Sequence, residues 1–317
     1  MEKLGILGAG GAIGQAVAGE ARRRSLAFCV IGRSSAKLEA AFPGAEVRVA
    51  DVGTESEASS ALEGVHTAIY AVGVPYHEFR LHPVLMRATL SAARHAGVRR
   101  LIVISSVYSY GVPQTPRVAE THPRTPAAFK GKMRKEQEDA ALAADDAGGL
   151  RTLVLRLPDF YGPHTEVSIA GVVLGAALRN VAAPWLGPPD LPHEFIFVPD
   201  AAGVILDLAG RDDVWGQAWN LGGAGTITPR QFIETTYREL GLRPRMRNGG
   251  KWFLRLGGLF SKVMGELREM YYLQETPVIL DDSRLAARLG PLPKTPYAEG
   301  IARTVNWARA EMASRSR

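Results

Sequence analysis

The residues best suited to chemistry lie at the start of the chain. Gly8-Ala9-Gly10-Gly11-Ala12-Ile13-Gly14 follows an apolar run, Leu4 to Leu7, and opens a stretch of helical composition. Residues without a Cβ permit a tight turn, and they let backbone N–H groups at the positive end of a helix approach a pyrophosphate. A strand before the turn, a helix after it and a second strand candidate within about 30 residues point to dinucleotide binding rather than an ordinary turn. Gly8, Gly10, Gly11, Ala12, Ile13 and Gly14 are expected to line that site.

The next signal stands at the end of the second strand candidate. An acid there would hydrogen-bond a ribose 2′-hydroxyl, about 20 residues beyond the turn. This chain has Ile31-Gly32-Arg33-Ser34-Ser35-Ala36-Lys37, with no acid before Glu39. The planar fork of Arg33 and the ammonium of Lys37, one helical turn on, suit a 2′-phosphate. NADP(H) is therefore expected in preference to NAD(H). Asp51-Val52 follows the third strand, where the adenine edge would lie, with a turn cap as the open alternative for Asp51. Ala71-Val72-Gly73 ends the fourth strand, and Gly73 would let the backbone approach the cofactor.

Positioning these groups requires a strand–helix alternation, and the first half of the chain carries one. Near-continuous apolar runs at residues 4–7, 27–31, 47–49, 67–71 and 101–104 read as strands buried on both faces. Residues 12–24, 35–41, 55–63 and 82–95 between them have helical composition. A sixth strand, 152–155, follows a helix over 133–144 and the Gly148-Gly149 break. The expected architecture is α/β, a Rossmann-type doubly wound parallel sheet with a smaller C-terminal substrate-binding subdomain. The NAD(P)-binding domain is expected over 1–158 and the subdomain over 159–317, with segments near 194–222 returning to the core.

Composition narrows the class. The 317 residues are 46% hydrophobic and 22% charged, with formal charge +6 and one cysteine. That charge is too dilute to indicate a nucleic-acid partner, and a lone Cys29 can form neither an intrachain disulfide nor a zinc cluster. The seven histidines show no metal-binding spacing, so no metal is expected. No targeting signal precedes Leu4, and the longest apolar run, Ile169 to Leu178, is too short for a membrane span. A cytoplasmic protein with a small-molecule substrate is expected, without membrane or nucleic-acid partners, with a homodimer as the allowed assembly. The cluster Arg243, Arg245, Arg247 and Lys251 reads as solvated charge. The apolar stretch Trp252 to Phe260 reads as an element of the substrate subdomain.

Taken in order, these motifs resemble the extended short-chain dehydrogenase/reductase superfamily, which includes sugar-nucleotide epimerases and dehydratases. The resemblance rests on the Gly8–Gly14 turn, Ser105-Ser106 with Tyr110-Gly111, and the segment Arg156-Leu157-Pro158-Asp159-Phe160-Tyr161-Gly162-Pro163. It continues through Phe195 to Ala202 and Trp219-Asn220-Leu221-Gly222. As the resemblance implies, chemistry there rests on a Tyr-x-x-x-Lys pair on the helix after strand five, with a Ser orienting the substrate carbonyl. The Tyr exchanges a proton with substrate, and the Lys holds the nicotinamide ribose. None of the nine tyrosines in this chain has a lysine four residues on. Aligned on Glu136, Lys132 takes the lysine position and Ala128 the tyrosine position, so the chain resembles an atypical branch that lacks the phenol.

Ser106 matches the family serine, and Tyr108 is the candidate proton donor, so Ser106, Tyr108 and Lys132 form the expected catalytic set. Tyr76, His77, Tyr161 and His164 lie on loops at the carboxyl ends of strands and are expected to line the substrate pocket. The function expected is an NADP(H)-dependent oxidoreductase acting on a small carbonyl or hydroxyl compound. Two alternatives stay open: a non-catalytic NADP(H) sensor, for which NmrA-like regulators are the parallel by resemblance, and an NAD-retaining epimerase or dehydratase.

Overall fold

A computed structural model describes residues 2–249 and 268–315. In chain order its first half runs β1 (Leu4–Leu7), α1 (Ala12–Arg23), β2 (Phe28–Gly32), α2 (Ser35–Ala41), β3 (Glu46–Val49), α3 (Glu55–Leu62) and β4 (Thr67–Tyr70). Then come α4 (Leu81–His95), β5 (Arg100–Ser106), α5 (Phe129–Ala143) and β6 (Arg151–Leu157). The second half holds β7 (Asp159–Tyr161), α6 (Ile169–Leu178), β8 (Ala183–Leu186), β9 (Phe195–Phe197), α7 (Val198–Ala209), β10 (Gln217–Asn220), α8 (Pro229–Glu239) and β11 (Met246–Gly249). A final helix covers Tyr297–Arg315.

Seven strands form one wholly parallel sheet in the order β10-β6-β5-β4-β1-β2-β3. Its central strands are apolar on both faces because helices cover both faces. Ile13, Val17, Ala18 and Ala21 of α1 pack with Val204, Ile205 and Leu208 of α7 on one side. Ala58 and Leu62 of α3, Met86 and Leu90 of α4 and Ala141 of α5 cover the other. Cys29 lies fully buried in β2, and burial pushes its thiol pKa up. The strand order reverses between β1 and β4, so the crevice for a ligand opens above their carboxyl ends.

Beyond β6 a second core forms from Tyr161, α6, β8, Phe195, α8 and Ile301 and Val305 of the final helix. β7 pairs with β9, while β10 joins the main sheet against β6. Glu194 pins this region together: its carboxylate accepts from Gly223 N at 3.2 Å and from Leu280 N at 2.8 Å. Burial, the largest influence, pushes its pKa up to about 7. Lys251 and the Trp252 to Phe260 stretch lie outside the described residues.

One helix begins earlier than its composition suggests. α5 starts at Phe129 rather than 133, and Gly131, which reads as a breaker, lies in its first turn. A Cβ there would come 2.7 Å from the Tyr108 carbonyl oxygen and 2.6 Å from Pro126. Gly131 thus seats the start of α5 directly against the turn that follows β5.

Candidate functional site

The glycine turn leads from β1 into α1 at the crevice. Gly8 has φ +77°, and a Cβ there would lie 2.7 Å from the Ala71 carbonyl oxygen. At Gly14 a Cβ would lie 2.6 Å from the Gly8 oxygen and from Ala9 Cα. These two glycines are imposed by the closeness of β1, α1 and the end of β4. Gly10 is different: a Cβ there would meet nothing within 4 Å. The turn is therefore closed on its protein side and open on its crevice side. Gly11 caps α1, whose first N–H groups, from Ala12 and Ile13 onward, have no intrahelical acceptor. The donors and the open space fit a pyrophosphate.

Arg33 follows β2, and Ser34 caps α2 by accepting from Lys37 N at 3.4 Å. Both Arg33 and Lys37 are exposed, and among the described residues neither side chain makes a hydrogen bond or an ion pair. Asp51 Oδ1 accepts from Gly53 N at 2.9 Å, an Asx turn that uses one of its two oxygens. The Val52 side chain is buried in the core, leaving only its backbone toward the crevice. Ala71 and Val72 are half-buried at the end of β4, and Gly73 is exposed.

The catalytic expectations meet the structure unevenly. Ser106 ends β5, half-buried, and caps the short turn Val107–Ser109. Lys132, expected at the lysine position, is exposed. The buried residues of α5 are Lys130, Gly131, Gln137, Glu138 and Ala141, and at 100° per residue Lys132 falls on the opposite side from Lys130. The i, i+4 pair on the inward face is Lys130 and Arg134. Lys130 is 1% exposed. Its Nζ donates to Glu269 Oε2 at 2.6 Å, and its backbone N donates to Glu269 Oε1 at 2.7 Å. Arg134 Nη1 donates to Gln137 Oε1 at 2.6 Å and lies 3.5 Å from His82 Nδ1, while its buried Nε has no partner among the described residues.

Aromatic rings close over this pair. Tyr76 and Tyr108 share a hydrogen bond between their hydroxyls at 3.0 Å. Phe79 stacks on Tyr76, with centroids 5.4 Å apart, and meets His82 edge-on at 4.8 Å. The Lys130 ammonium lies 5.8 Å from the Tyr76 ring centre and 5.9 Å from that of Phe79. Burial dominates the electrostatics. It raises Tyr76, drives Tyr108 well above the usual phenol range, brings Asp159 up to about 6, and takes His82 down to about 2 with help from the Arg134 charge.

Beneath lies a fully bonded polar network. Glu138 accepts from Ser105 Oγ at 2.6 Å and from Arg156 Nε at 2.9 Å. Arg156 also donates to the Tyr110 hydroxyl at 2.8 Å, and Tyr110 donates to Asn220 Oδ1 at 2.7 Å. These links tie α5, β5, β6 and β10 under the site.

One expected substrate contact is enclosed by packing, and another touches the final helix. Tyr161 is 2% exposed in the second core, its ring against Phe197, Phe232 and Tyr297, so it faces the subdomain interior. His164 packs edge-on against Trp307 of the final helix at 4.6 Å. His77 shares the short turn of Tyr76, with its side chain 68% exposed at the rim. The residues missed were Lys130, Arg134, Asp159 and Glu269. Lys130 and Arg134 could have been found by phasing the helix from Phe129, and Asp159 stands inside the motif already noted at 156–163.

A family model described as NAD(P)H-binding matches residues 8–161. The dTDP-glucose 4,6-dehydratase of Xanthomonas campestris is 25% identical over 217 residues, covering 66% of this chain and 57% of that protein. The putative UDP-glucose 4-epimerase of Methanocaldococcus jannaschii is 22% identical over 206 residues, 63% of this chain and 59% of that one. Over residues 8–161 the chain is thus similar to NAD(P)H-binding proteins. Its matches span about three fifths of the length of those curated relatives. Among solved structures, the dTDP-glucose 4,6-dehydratase DesIV from Streptomyces venezuelae aligns with TM-score 0.81 at 18% identity, covering 98% of both chains. The UDP-glucuronic acid 4-epimerase of Bacillus cereus, in complex with NAD, aligns with TM-score 0.79 at 14% identity, covering 98% of this chain and 99% of that one. These likenesses are of fold.

Proposed function

We propose that the protein is an NADP(H)-dependent oxidoreductase acting on a small carbonyl or hydroxyl compound. The observation that carries the coenzyme choice is the exposed Arg33 and Lys37 at the end of β2, which pair with no other described residue. A 2′-phosphate is attracted by these two cations, and a ribose without it gains nothing from them. The turn from Gly8 to Gly14 and the first N–H groups of α1 would hold the pyrophosphate. Arg134, one helical turn after Lys130, would donate to nicotinamide-ribose hydroxyls.

When bound, the dinucleotide supplies hydride chemistry. The chain does the rest. Ser106 orients the substrate oxygen by hydrogen bonding, the inward cations of α5 favour negative charge developing on it, and Tyr76, Phe79 and Tyr108 keep water out. Excluding water strengthens each of these electrostatic contacts. The aromatic cover over a paired cation is consistent with a compact substrate.

One observation favours a sensor instead: α5 presents no phenol on its inward face. Two measurements separate the readings. Calorimetry on the apoprotein should give heat with NADPH and a much weaker signal with NADH. NADPH oxidation across aldehydes, ketones and enones should exceed the background decay of the coenzyme. Binding without turnover would favour the sensor, and no heat from either nucleotide would overturn both.

A further inference from the structure

We infer that the Lys130 ammonium is the proton donor to the substrate oxygen, standing where relatives of this fold carry a phenol, with Glu269 as the residue that holds its charge. This rests on the proposed oxidoreductase function. Three geometric observations support it. Lys130 and Arg134 are spaced i, i+4 on the inward face of α5, so their side chains share one side of the helix. Gly131 has no room for a side chain against the Tyr108 carbonyl, which fixes Lys130 beside the turn that Ser106 caps. Glu269 grips Lys130 twice, through the backbone N and through Nζ.

Among the described residues, those facing this ammonium include Glu269 from the segment before Tyr272–Glu275 and the Tyr76 and Phe79 rings from the loop before α4. Arg134 lies one turn on in α5. Tyr108, Asp159 and His82 complete the site around Tyr76 and Arg134. The hydroxyls compete poorly as donors. Tyr76 and Tyr108 are hydrogen-bonded to each other, and burial makes both weaker acids than a free phenol.

The step balances as follows. An N–H bond of the ammonium breaks and an O–H bond forms, while the carbonyl π pair moves onto oxygen. The carbonyl carbon takes hydride from the dihydronicotinamide, the reductant named above. The neutral amine then recovers a proton from water at the Glu269 side.

The test reads Lys130 directly. Side-chain nitrogen NMR of the full chain labelled with ¹⁵N-lysine, assigned by the signal lost in Lys130→Met, would follow its titration in NADPH and in NADP⁺. The positive ring of NADP⁺ should move that titration to lower pH than in NADPH, and identical curves would overturn the inference. On the carbonyl panel, Lys130→Met should lower turnover by about 10²–10⁴-fold while calorimetric NADPH affinity changes less than about threefold. Lys130→Arg should retain part of that turnover with its alkaline limb at higher pH. Glu269→Gln should move the limb to lower pH, because removing a carboxylate disfavours the ammonium. Unchanged turnover in Lys130→Met, or an alkaline limb unmoved in both conservative variants, would refute the role. Failure of NADPH to bind would instead refute the coenzyme reading. If the parent turns over nothing, the NMR comparison alone decides whether Lys130 occupies the seat.

Discussion

A guanidinium at Arg33 that pairs with no other described residue has its charge available to a ligand, so reversing that charge turns attraction into repulsion. Arg33→Glu should weaken NADPH by about tenfold or more while NADH changes little, as calorimetry with both nucleotides would show. Equal losses would remove Arg33 from the 2′-phosphate. Lys132 gives the opposite expectation. It is exposed on the outer side of α5, so Lys132→Ala should keep the parent's NADPH affinity and lie within about 0.5 kcal/mol of its stability in urea melts. The sequence carried the glycine turn and Arg33 plainly, because both are local patterns with a strand on one side and a helix on the other. Lys130 was hidden by alignment on Glu136, which put the lysine position at Lys132, whereas the helix face follows from Gly131 seated against Tyr108. Tyr161 misled for the converse reason: its position on a loop after β6 says nothing of the second core that encloses it.

α1 and α5 each meet the turn after a strand through a glycine with no room for a side chain. At Gly14 a methyl group would come within 2.6 Å of the Gly8 oxygen and the Ala9 backbone, and neither can retreat without opening the turn. Gly14→Ala should therefore cost about 1–3 kcal/mol in denaturant unfolding. It should also reduce nucleotide binding in calorimetry. α5 is held from below by Glu138, which is fully buried and bonded to Arg156, Ser105 and Arg124. Replacing it by Leu strands the Arg156 guanidinium in the interior. A loss of about 3–5 kcal/mol is expected in urea unfolding, with Arg156 and Glu138 replaced together costing less than the sum. Strand positions in the first half followed from their near-continuous apolar runs. The polar network beneath α5 did not, since Ser105, Glu138, Arg156, Tyr110 and Asn220 are far apart along the chain and meet only when β10 joins the sheet.

Taken as one body, the protein depends on how the chain beyond β6 returns to the sheet, and Glu194 stands at that junction. Its pKa is about 7 in the fold and about 4.3 in an unfolded chain, so the fold favours its neutral form. Stability from this group is full below the unfolded value and is lost as pH rises through about 7, amounting to about 3 kcal/mol. His82 acts in the opposite sense, its stabilisation being lost as pH falls below about 6.5. The difference between parent and Glu194→Gln isolates the first effect. Between pH 4.5 and 8 the parent should lose about 3 kcal/mol relative to the variant in urea midpoints, and a constant difference would contradict it. The interleaving of segments near 195–220 with the first sheet and the second core lies in tertiary contacts that periodicity does not encode.

Cys29 offers a practical consequence. It is the chain's single cysteine, and it lies sealed in β2 with its reactive form disfavoured. Maleimide and iodoacetamide reagents should pass the native protein by, leaving no background to subtract. A cysteine introduced at Val167, which is 92% exposed, could then carry a fluorophore or spin label as the only marked position on an otherwise unaltered molecule.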